Sequence, residues 1–521
     1  MSKFFNTAGP CKQELHYMVD PLPRLPIVPN LVEGQHFFII YGPPRSGKST
    51  YLQALMHQIN EEGNYSAIAV NIRAATAGKD PDSAMMLAAN AIYKKTRRCL
   101  PEKECPDPVD QKKFIKGQLQ GYLSQWAEKN PKQIVLLIDG ADSLPDDFFS
   151  VIMNQLLAGF EDRPDGFPRS IGLTGLRDIR DHRPGQKIMV YSLNMKAEPL
   201  FVDVFKPSEV DGLLNQHIME TGQVFGQKIK NEIFRLTQGQ PWLTNMIARE
   251  IVTGILKDDY SQTIMLAHVA EARESLIRQQ DIHLDNLPEK LKEPAMKHAT
   301  EAVISGEFLQ AGRLDELRYL QNIGLVTRKP PIEFANPIYT EIIPRMLNHC
   351  WEISFTQEFA DQKRYLKNGR LNPDALLSSF QRFYRRYSES WLEGFDFREA
   401  SRQLLLMAFL QRIIGDNGAM ECELSVGSGC CNILLEFSSE HFALEIKLKR
   451  DRYSEQDGLR HIATYLDKVN LNHGYLVLFE TSSQMPWEKQ AYQIESEIPW
   501  EKRIYRKEIQ QDGKRIVLIG M

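Results

Sequence analysis

The chain has 521 residues, of which 63 are Lys or Arg and 67 are Asp or Glu, so its formal net charge is −4. With 42% hydrophobic and 25% charged residues, the composition is typical of a globular protein with several cores and excludes a wholly disordered chain. The balanced charge also argues against a protein that is basic on all sides, although local basic faces remain compatible with it.

Three absences predict a cytoplasmic protein. No apolar run approaches the ~20 residues that a membrane-spanning helix needs. Residues 1–10 lack the charged, apolar and small-residue order of a secretory signal peptide. The seven cysteines are scattered along the chain, which is typical of reduced thiols and not of a disulfide framework or a zinc site.

The strongest motif is Gly-Pro-Pro-Arg-Ser-Gly-Lys-Ser-Thr at residues 42–50. An apolar run, Phe37–Tyr41, precedes it and is predicted to be a buried strand, and a helix-periodic stretch follows it. Strand, glycine loop and helix form the context of a phosphate-binding P-loop. The glycines leave space for phosphates on the backbone N–H groups, the lysine reaches the β- and γ-phosphates, and the serine after it coordinates Mg²⁺. The predicted nucleotide-binding residues are Gly42, Arg45, Ser46, Gly47, Lys48, Ser49 and Thr50.

A second apolar run, Ile134–Ile138, ends in Asp139 and is predicted to be the strand that brings a metal-binding carboxylate beside the loop. Ser49 and Asp139 are thus the predicted Mg²⁺ ligands at this site. Many ATPases place a glutamate directly after this aspartate to polarise the attacking water, and here the position is Gly140. Either Asp142 orients the water, or hydrolysis is slow and the protein acts as a nucleotide-held switch.

A further strand-like run at residues 170–176 leads into Arg177. An arginine at the tip of such a strand senses the γ-phosphate or forms a surface salt bridge, and the residues alone leave both interpretations open. Together with Asp139 and Asp142, Arg177 is a candidate catalytic residue.

These motifs resemble those of STAND-type P-loop ATPases, relatives of the AAA+ proteins, and more narrowly those of a bacterial AAA-like ATPase family. Members of that family often carry a PD-(D/E)XK nuclease-like domain at the C-terminus. Besides the P-loop, the resemblance rests on Phe5–Pro10, His16-Tyr17, Asp139–Asp142, Arg177 and Thr237–Leu243.

The resemblance implies an α/β nucleotide-binding domain, a helical lid, a winged-helix-like module and an ATP/ADP-dependent switch that gates an output domain. It also implies that Pro241 contacts the nucleotide from the lid side and that Arg177 is a sensor. The family commonly has Asp-Glu-x-Asp where this chain has Asp-Gly-Ala-Asp at residues 139–142. The resemblance therefore implies nucleotide binding more directly than rapid hydrolysis.

Helical periodicity dominates the middle of the chain. Pro207 is predicted to open a helix whose apolar stripe includes His217, interpreted as a packed histidine and not as a ligand. Helices near Ile229–Leu236 and Trp242–Ile255 complete the predicted lid. The stretch Leu314–Arg345 is predicted to be a helix, a short hairpin and a second helix, typical of a winged-helix module. In this architecture the module is expected to close over the nucleotide or a partner in preference to binding DNA.

A predicted helix further along combines aromatic residues with arginines. Its members are Phe380, Phe383, Tyr384, Tyr387 and Trp391, interleaved with Arg382, Arg385 and Arg386. Aromatic residues interleaved with arginines in this way can bind a nucleic-acid strand. The favoured interpretation is an amphipathic helix with a buried aromatic face and solvated arginines.

From Phe397 the predicted order is helix, three strands, helix and strand, which resembles the PD-(D/E)XK nuclease core. Glu445 and Lys447 fit its E-x-K element, because residues two apart on a strand share a face. In an active enzyme the glutamate binds Mg²⁺ and the lysine helps to generate the attacking hydroxide. Glu399 fits an auxiliary acidic position and is a further candidate metal ligand. The predicted elements are Arg398–Ile414, Met420–Val426, Asn432–Phe437, Phe442–Leu448, Gln456–Val469 and Tyr475–Phe479.

The chain departs from the nuclease pattern at the essential metal-binding aspartate. Asn432 takes that position, and an amide brings no charge to a cation that carboxylates normally hold. His461 stands where the family usually has a glutamine, and Glu436 lies ~13 Å from Asn432 along the strand. These changes predict a weakened or lost nuclease. A basic run that remains able to bind nucleic-acid phosphates comprises Lys447, Lys449, Arg450 and Arg452.

The predicted fold class is α/β, with a P-loop NTPase domain, a helical lid, a winged-helix-like module and a C-terminal PD-(D/E)XK-like domain. The predicted boundaries are 1–30 for an N-terminal arm, 31–205 for the P-loop domain, 206–285 for the lid, 286–346 for the winged-helix-like module, 347–395 for a connecting helical region and 396–521 for the nuclease-like domain.

The predicted function is an ATP- and Mg²⁺-binding switch that controls a degenerate nuclease-like output domain. Two alternatives remain: an active, ATP-regulated DNA nuclease, placed in bacterial defence by family analogy alone, and a scaffold for protein partners that needs no hydrolysis. The expected partners are ATP or ADP, nucleic acid through the C-terminal domain, and a protein or a second copy of the chain. No membrane is expected.

Overall fold

The computed structural model describes residues 3–110, 118–175, 197–279, 291, 294–305, 314–352, 362–367, 370–392, 398–414, 418–425, 430–438, 440–449, 453–480 and 505–521. These residues form two compact units. The first unit comprises Met1–Ala272 with Asn322–Gly324, and the second comprises Arg273–Gln321 with Leu325–Met521.

The first unit has seven strands among its described residues. They are β1 Phe4–Phe5, β2 His16–Tyr17, β3 Phe37–Tyr41, β4 Ser66–Asn71, β5 Ile134–Asp139, β6 Ser170–Gly175 and β7 Ala197–Phe201. β1 and β2 form a small parallel pair in the N-terminal arm. The other five form one parallel sheet in the order β4-β5-β6-β3-β7. The three strands predicted around the P-loop and its acidic residues are therefore confirmed as β3, β5 and β6.

Helices cover both faces of this sheet. They are α1 Val28–Glu33, α2 Lys48–Glu62, α3 Pro81–Cys99, α4 Gln118–Lys129 and α5 Asp146–Ala158. Successive residues of a strand point to opposite faces. Ile39 accordingly packs in the core with α3, α4 and α5, whereas Phe38 and Ile40 pack in the core with α1 and α2. Burial on both faces explains why β3 and the residues of β5 before Asp139 are continuously apolar.

The predicted lid helices are confirmed as helices. They are α6 Pro207–Thr221, α7 Gln227–Thr237 and α8 Pro241–Arg249. Pro207 and Pro241 stand in the first turns of their helices, where the missing N–H of proline costs nothing. The predicted helix Trp242–Ile255 is α8 followed by a π-helical turn, Glu250–Ile255. In that turn the Leu256 N–H donates to the Ile251 carbonyl at 3.0 Å.

His217 is a packed histidine, as the sequence predicts. It is 1% exposed, and the rings of Phe5, Tyr17, Phe225 and Tyr260 lie with their centroids 5.5–5.6 Å from its own. Burial lowers the pKa of the imidazole. The cluster docks the arm strands β1 and β2 on helix α6.

The helices that follow begin with α9 Leu266–Gln279, which starts in the first unit and ends in the second. The others are α10 Pro294–Ser305, α11 Leu314–Asn322, α12 Pro337–Glu352, α13 Pro373–Leu392, α14 Arg398–Ile414 and α15 Ser454–Lys468. Between α11 and α12 the predicted hairpin is a single antiparallel bridge, Val326 to Phe334. No helix among the described residues has the length and apolar character to cross a membrane.

The aromatic face of α13 is buried as predicted. Phe380, Phe383 and Tyr384 belong to the core of the second unit, and Arg382 between them is exposed. The side chains of residues 385–392 lie outside the described residues. For the described part of α13, packing and not nucleic-acid binding explains the aromatic spacing.

The second unit contains a mixed six-stranded sheet. Its strands, with the short pair β8 Leu366–Lys367 and β9 Arg370–Leu371 before them, are β10 Gly418–Ser425, β11 Cys430–Phe437, β12 Glu440–Lys449, β13 His473–Glu480, β14 Tyr505–Gln511 and β15 Lys514–Gly520. The order is β10-β11-β12-β13-β15-β14, with β10, β11 and β12 antiparallel and β13 parallel to β12. The predicted order of helix, three strands, helix and strand is confirmed, whereas β14 and β15 were not predicted.

Candidate functional site

The loop after β3 has the shape that phosphate binding requires. Gly47 has a φ of 96°, a backbone conformation that residues with side chains rarely adopt. At Gly42 a Cβ atom would lie 2.7 Å from the Val202 carbonyl oxygen, so only glycine fits beside the end of β7. Helix α2 begins at Lys48, which brings its first N–H groups and the positive end of its dipole to the loop.

Lys48 folds back over this loop. Its Nζ donates hydrogen bonds to the carbonyl oxygens of Gly42 at 2.8 Å and Pro43 at 2.7 Å. Burial lowers the pKa of Lys48 to about 8, although the carboxylates of Asp142 and Asp139 act in the opposite direction. The ammonium is therefore held beside the loop by groups that an anionic ligand can replace.

Two observations on the loop fit a phosphate group. The Ser46 side chain is buried, and its hydroxyl has no hydrogen-bond partner among the described residues. Buried polar groups normally have a partner, so this hydroxyl is suited to bind a ligand atom. The second observation is the ammonium of Lys48, which supplies the positive charge that a phosphate requires.

Asp139 accepts hydrogen bonds from three other elements. Ser49 Oγ donates to its Oδ2 at 2.8 Å, and Thr174 Oγ1 donates to its Oδ1 at 2.5 Å. Asn71 Nδ2 donates to Oδ2 at 3.2 Å. Asn71 and Thr174 converge on Asp139 because β4, β5 and β6 are neighbours and parallel, so that their carboxyl ends meet at one edge of the sheet. Ser49 reaches it from the first turn of α2. The adjacent oxygens of Ser49 and Asp139 fit the oxygen ligands that Mg²⁺ prefers.

Asn71 and Thr174 were missed by the sequence reasoning. Both stand at or near the carboxyl ends of strands that flank β5. A polar side chain at the end of an otherwise apolar strand is the signal that would have indicated them. The candidate sensor Arg177 lies outside the described residues.

Gly140 occupies the position at which many ATPases carry a glutamate. Its φ is 74°, and a Cβ atom there would lie 3.2 Å from the Asn71 Oδ1. Both the backbone conformation and the nearby Asn71 amide therefore favour glycine at this position. Asp142 follows in a short helical turn, Ala141–Ser143, and its charge acts on Lys48.

The start of helix α8 contacts the P-loop. Pro241 is its first residue and is buried. The next residue, Trp242, lies under the guanidinium of Arg45, whose Cζ is 4.9 Å from the centroid of a Trp242 ring. The contact with the P-loop is thus made by the neighbour of Pro241.

The N-terminal arm contacts both of these elements. Trp242 Nε1 donates to the Thr7 carbonyl oxygen at 2.9 Å, and Arg249 donates to the Thr7 hydroxyl at 2.6 Å. The Cys11 N–H donates to Thr50 Oγ1 at 3.1 Å. The arm therefore joins the first turn of α2 to helix α8.

A second cluster of predicted residues lies in the C-terminal sheet. Glu445 and Lys447 are 0% and 6% exposed, and they share the face of β12 that α15 covers. Asn432 stands directly opposite Glu445 in the antiparallel register of β11 and β12. His461 Nδ1, on α15, lies 3.5 Å from Glu445 Oε1. The structure thus brings together the residues that the nuclease pattern predicts, including its two departures.

This second cluster does not fit a catalytic Mg²⁺ site. Its described members supply one carboxylate, and Glu436 on the neighbouring strand is exposed. The described part of the chain contains no group of three or more His, Cys, Asp or Glu side chains that could hold a metal ion. Burial and the nearby charge of Lys447 lower the pKa of His461. The side chain of Glu399 lies outside the described residues, as do Arg450 and Arg452.

A comparison with known protein families agrees with the P-loop site, formed by residues 42–50 and Asp139 and called the first site below. Residues 32–181 match the family model described as an AAA domain. No curated protein matches the chain.

Three solved structures are distantly similar to the chain. The Walker-type ATPase paby2304 of Pyrococcus abyssi is 13% identical, with a TM-score of 0.47, over 65% of this chain and 99% of that one. The ORC2 protein of Aeropyrum pernix is 14% identical, with a TM-score of 0.43, over 64% and 93%. Cdc6p of Pyrobaculum aerophilum is 13% identical, with a TM-score of 0.34, over 63% and 93%.

Proposed function

We propose that the chain is a nucleotide-dependent switch, on the premise that residues 32–181 form an AAA-like P-loop ATPase domain, a nucleotide-binding fold. The proposed ligand is ATP with Mg²⁺, and the proposed moving part is the lid of α6, α7 and α8. The proposal rests above all on the partly buried ammonium of Lys48 beside the Ser49–Asp139 pair at the carboxyl edge of the parallel sheet.

The residues of the first site have different proposed roles in binding. The loop N–H groups, the Ser46 hydroxyl and the Lys48 ammonium bind the phosphates. Ser49 and Asp139 hold the Mg²⁺, which neutralises phosphate charge when bound. Asn71 and Thr174 orient the Asp139 carboxylate through their hydrogen bonds. Arg45 and Pro241 contribute from the loop and from the lid, respectively.

Replacing the P-loop lysine tests this proposal. Lys48→Ala is expected to weaken ATP binding about 100-fold or more, because charge-assisted contacts to the phosphates are lost. The affinity is measured by titration with a fluorescent ATP analogue. Lys79→Ala, at an exposed lysine, is the matched control and should bind as wild type does. Equal affinities of Lys48→Ala and wild type would refute the P-loop assignment.

We further propose that hydrolysis is slow. Gly140 leaves no carboxylate at the usual water-polarising position, and Asp142 is the candidate for that role. Steady-state phosphate release from wild type should therefore be slow, and Asp142→Asn should reduce it further without changing ATP affinity. Rapid turnover that is insensitive to Asp142→Asn would contradict this assignment. Wild-type protein that binds ATP with no turnover would favour the scaffold.

The proposed output domain is the C-terminal sheet with α14 and α15, a nuclease-like fold that has lost cleavage. The strand order, the buried Glu445–Lys447 pair and the register of Asn432 against Glu445 support this proposal. A buried cluster with one carboxylate lacks the ligands for a hard divalent cation. Binding of nucleic acid without cleavage, through Lys449 at the end of β12, is the proposed remaining activity, because Lys447 is buried under α15.

Restoring the missing charge tests the degenerate site. Wild type is expected to leave DNA intact with Mg²⁺ or Mn²⁺ while retarding it in a gel. Asn432→Asp should create metal-dependent cleavage that the double variant with Glu445→Ala loses. Cleavage by wild type that disappears in Glu445→Ala would instead establish an active nuclease. If wild type neither cleaves nor binds nucleic acid, a protein-facing output is preferred.

A further inference from the structure

Arg24 is a largely buried arginine that the motifs do not account for. It ends the short helical turn Leu22–Arg24, in the N-terminal arm just before α1, and its side chain is 12% exposed. Burial lowers the pKa of the guanidinium, while the charges of Glu209 and Asp203 act against that shift. A buried charge of this kind persists only where its partners offset the loss of solvation.

One end of the guanidinium contacts the phosphate-binding loop. Arg24 Nη1 donates to the Ser46 carbonyl oxygen at 3.4 Å. The same nitrogen lies 3.9 Å from the position that a Cβ atom at Gly47 would occupy. The contact falls on the residues that directly precede Lys48.

The other end contacts the lid hinge, which we define as residues 202–206 between β7 and α6. Arg24 Nη2 donates to the carbonyl oxygens of Asp203 and, at 3.2 Å, Val204. The guanidinium carbon lies 5.0 Å from the centroid of the Phe205 ring. Arg24 Nε also lies 3.6 Å from Oε1 of Glu209, in the first turn of α6.

The hinge itself touches both the loop and the lid. The Val202 carbonyl oxygen lies 2.7 Å from the position that a Cβ atom at Gly42 would occupy. The Phe205 N–H donates to the Gly239 carbonyl oxygen at 2.7 Å, just before α8. One planar group with five fixed donors therefore holds the loop and the segment about which the lid must turn.

We propose that Arg24 is a positioning residue that couples the phosphate-binding loop to the lid hinge, so that nucleotide in the loop and the position of the lid change together. This inference rests on the proposed function, because it describes how the same nucleotide site is regulated. Since Arg24 reaches the loop through a backbone carbonyl, its role concerns the retention of nucleotide and the response of the lid.

The chain contains a matched control, Arg169, at the amino ends of the strands of the same sheet. Arg169 directly precedes β6, and its side chain is 13% exposed. It also donates to two backbone carbonyl oxygens, those of Val32 at 3.1 Å and Glu33. It stacks on the ring of Tyr65 at 5.0 Å and pairs with the Glu33 carboxylate at 3.9 Å. Arg24 and Arg169 thus have the same kinds of partners, but only Arg24 contacts the loop and the hinge.

The test compares Arg24→Gln with Arg169→Gln in the full chain. The first measurement is the rate at which a fluorescent ADP analogue leaves the protein when unlabelled ADP is added in excess. Arg24→Gln should release it about tenfold faster than wild type, Arg24→Lys should be intermediate, and Arg169→Gln should match wild type. Equal acceleration by both glutamine variants, or none by Arg24→Gln, would overturn the coupling.

Hydrogen exchange supplies a readout that a purely structural role would not change. In wild type, saturating nucleotide should slow amide exchange both in the loop and at residues 202–206. In Arg24→Gln the protection of the loop should persist and that of the hinge should be lost. Retained hinge protection would overturn the proposal. If Arg24→Gln does not fold, Arg24→Lys and Glu209→Gln are compared in its place, and unchanged release and hinge protection in both would overturn it.

The two proposals fail in different ways. Wild-type protein that binds no fluorescent nucleotide refutes the proposed function. The coupling alone is refuted by a different set of results. Wild type binds nucleotide, Lys48→Ala does not, and Arg24→Gln releases nucleotide at the wild-type rate.

Discussion

At the scale of the residue, the charge on Lys48 depends on its surroundings. Burial lowers its pKa to about 8, so in the free site it loses its proton as the pH rises through that value. Bound phosphate favours the charged form and raises the pKa again. Nucleotide affinity is therefore linked to the protonation of this one side chain.

This linkage predicts that ATP affinity falls as the pH rises from about 7 to 9.5, approaching a tenfold loss per pH unit above about 8. The sign follows because the bound state holds one more proton than the free state in this range. The dissociation constant is measured by titration at each pH, with the unfolding midpoint as a check that the fold persists. A constant affinity over the range would contradict the linkage.

Gly140 permits a prediction about stability. Gly140→Ala places a side chain at a φ of 74° and 3.2 Å from the Asn71 Oδ1, so the free energy of unfolding should fall by about 1–2 kcal/mol. Gly121 in α4 is the matched control, because a Cβ there meets nothing within 4 Å. Gly121→Ala should raise the free energy of unfolding by about 0.5–1 kcal/mol.

Denaturant unfolding compares the two glycine variants. Equal effects of Gly140→Ala and Gly121→Ala would show that the conformation of Gly140 is not required. A larger loss of stability in Gly140→Ala would show that the backbone conformation at this position disfavours any residue with a side chain, glutamate included.

The residues of the site differ in how far the sequence predicts them. Residues 42–50 are contiguous, forming the P-loop and the first turn of α2, so their spacing alone identifies them as candidates. Asn71 and Thr174 reach Asp139 from other strands, and Arg24 reaches the hinge from 179 residues away. Such contacts depend on tertiary structure, and no local pattern contains them.

At the scale of the element, ring contacts and hydrogen bonds hold the N-terminal arm to helices α6 and α8. Thr7→Val removes the hydroxyl that accepts from Arg249 but keeps the shape of the side chain. Losing one such hydrogen bond, worth ~1 kcal/mol, should speed tryptic cleavage after Lys12 about fivefold. Thr7→Ser keeps the hydroxyl and should be cleaved like wild type. Equal cleavage of the two variants would show that this bond does not hold the arm.

Periodicity predicted elements whose burial it follows directly, such as the apolar strands β3 and β5 and the amphipathic helix α6. β14 was missed because its sequence, Tyr-Arg-Lys-Glu-Ile-Gln-Gln at residues 505–511, is polar. Its place at the edge of the sheet, beside β15, explains that composition.

At the scale of the whole molecule, the described residues form two compact units with separate cores. The order β4-β5-β6-β3-β7 could not be predicted from the sequence, because strands of similar apolar composition can exchange places. What the sequence did predict is that the strand Ile134–Ile138 brings Asp139 beside the P-loop, which follows when parallel strands have their carboxyl ends at one edge of the sheet.

Two separate cores predict two thermal transitions, of which nucleotide shifts one. ATP with Mg²⁺ at 100 times its dissociation constant should stabilise the first unit by about 2.7 kcal/mol and leave the second transition in place. Calorimetry with and without nucleotide measures both transitions. Lys48→Ala should remove the shift. A single transition, or an equal shift of both, would show that the two units unfold together.

The π-helical turn Glu250–Ile255 has a consequence for how chain length can vary. Because each hydrogen bond there spans five residues in place of four, the turn accommodates one residue more than an α-helix does. Deleting the exposed Thr253 should convert the turn to regular α-helix and preserve the packing of α8. Homologous chains that are one residue shorter here would then carry their deletion inside a helix, where alignments normally forbid gaps.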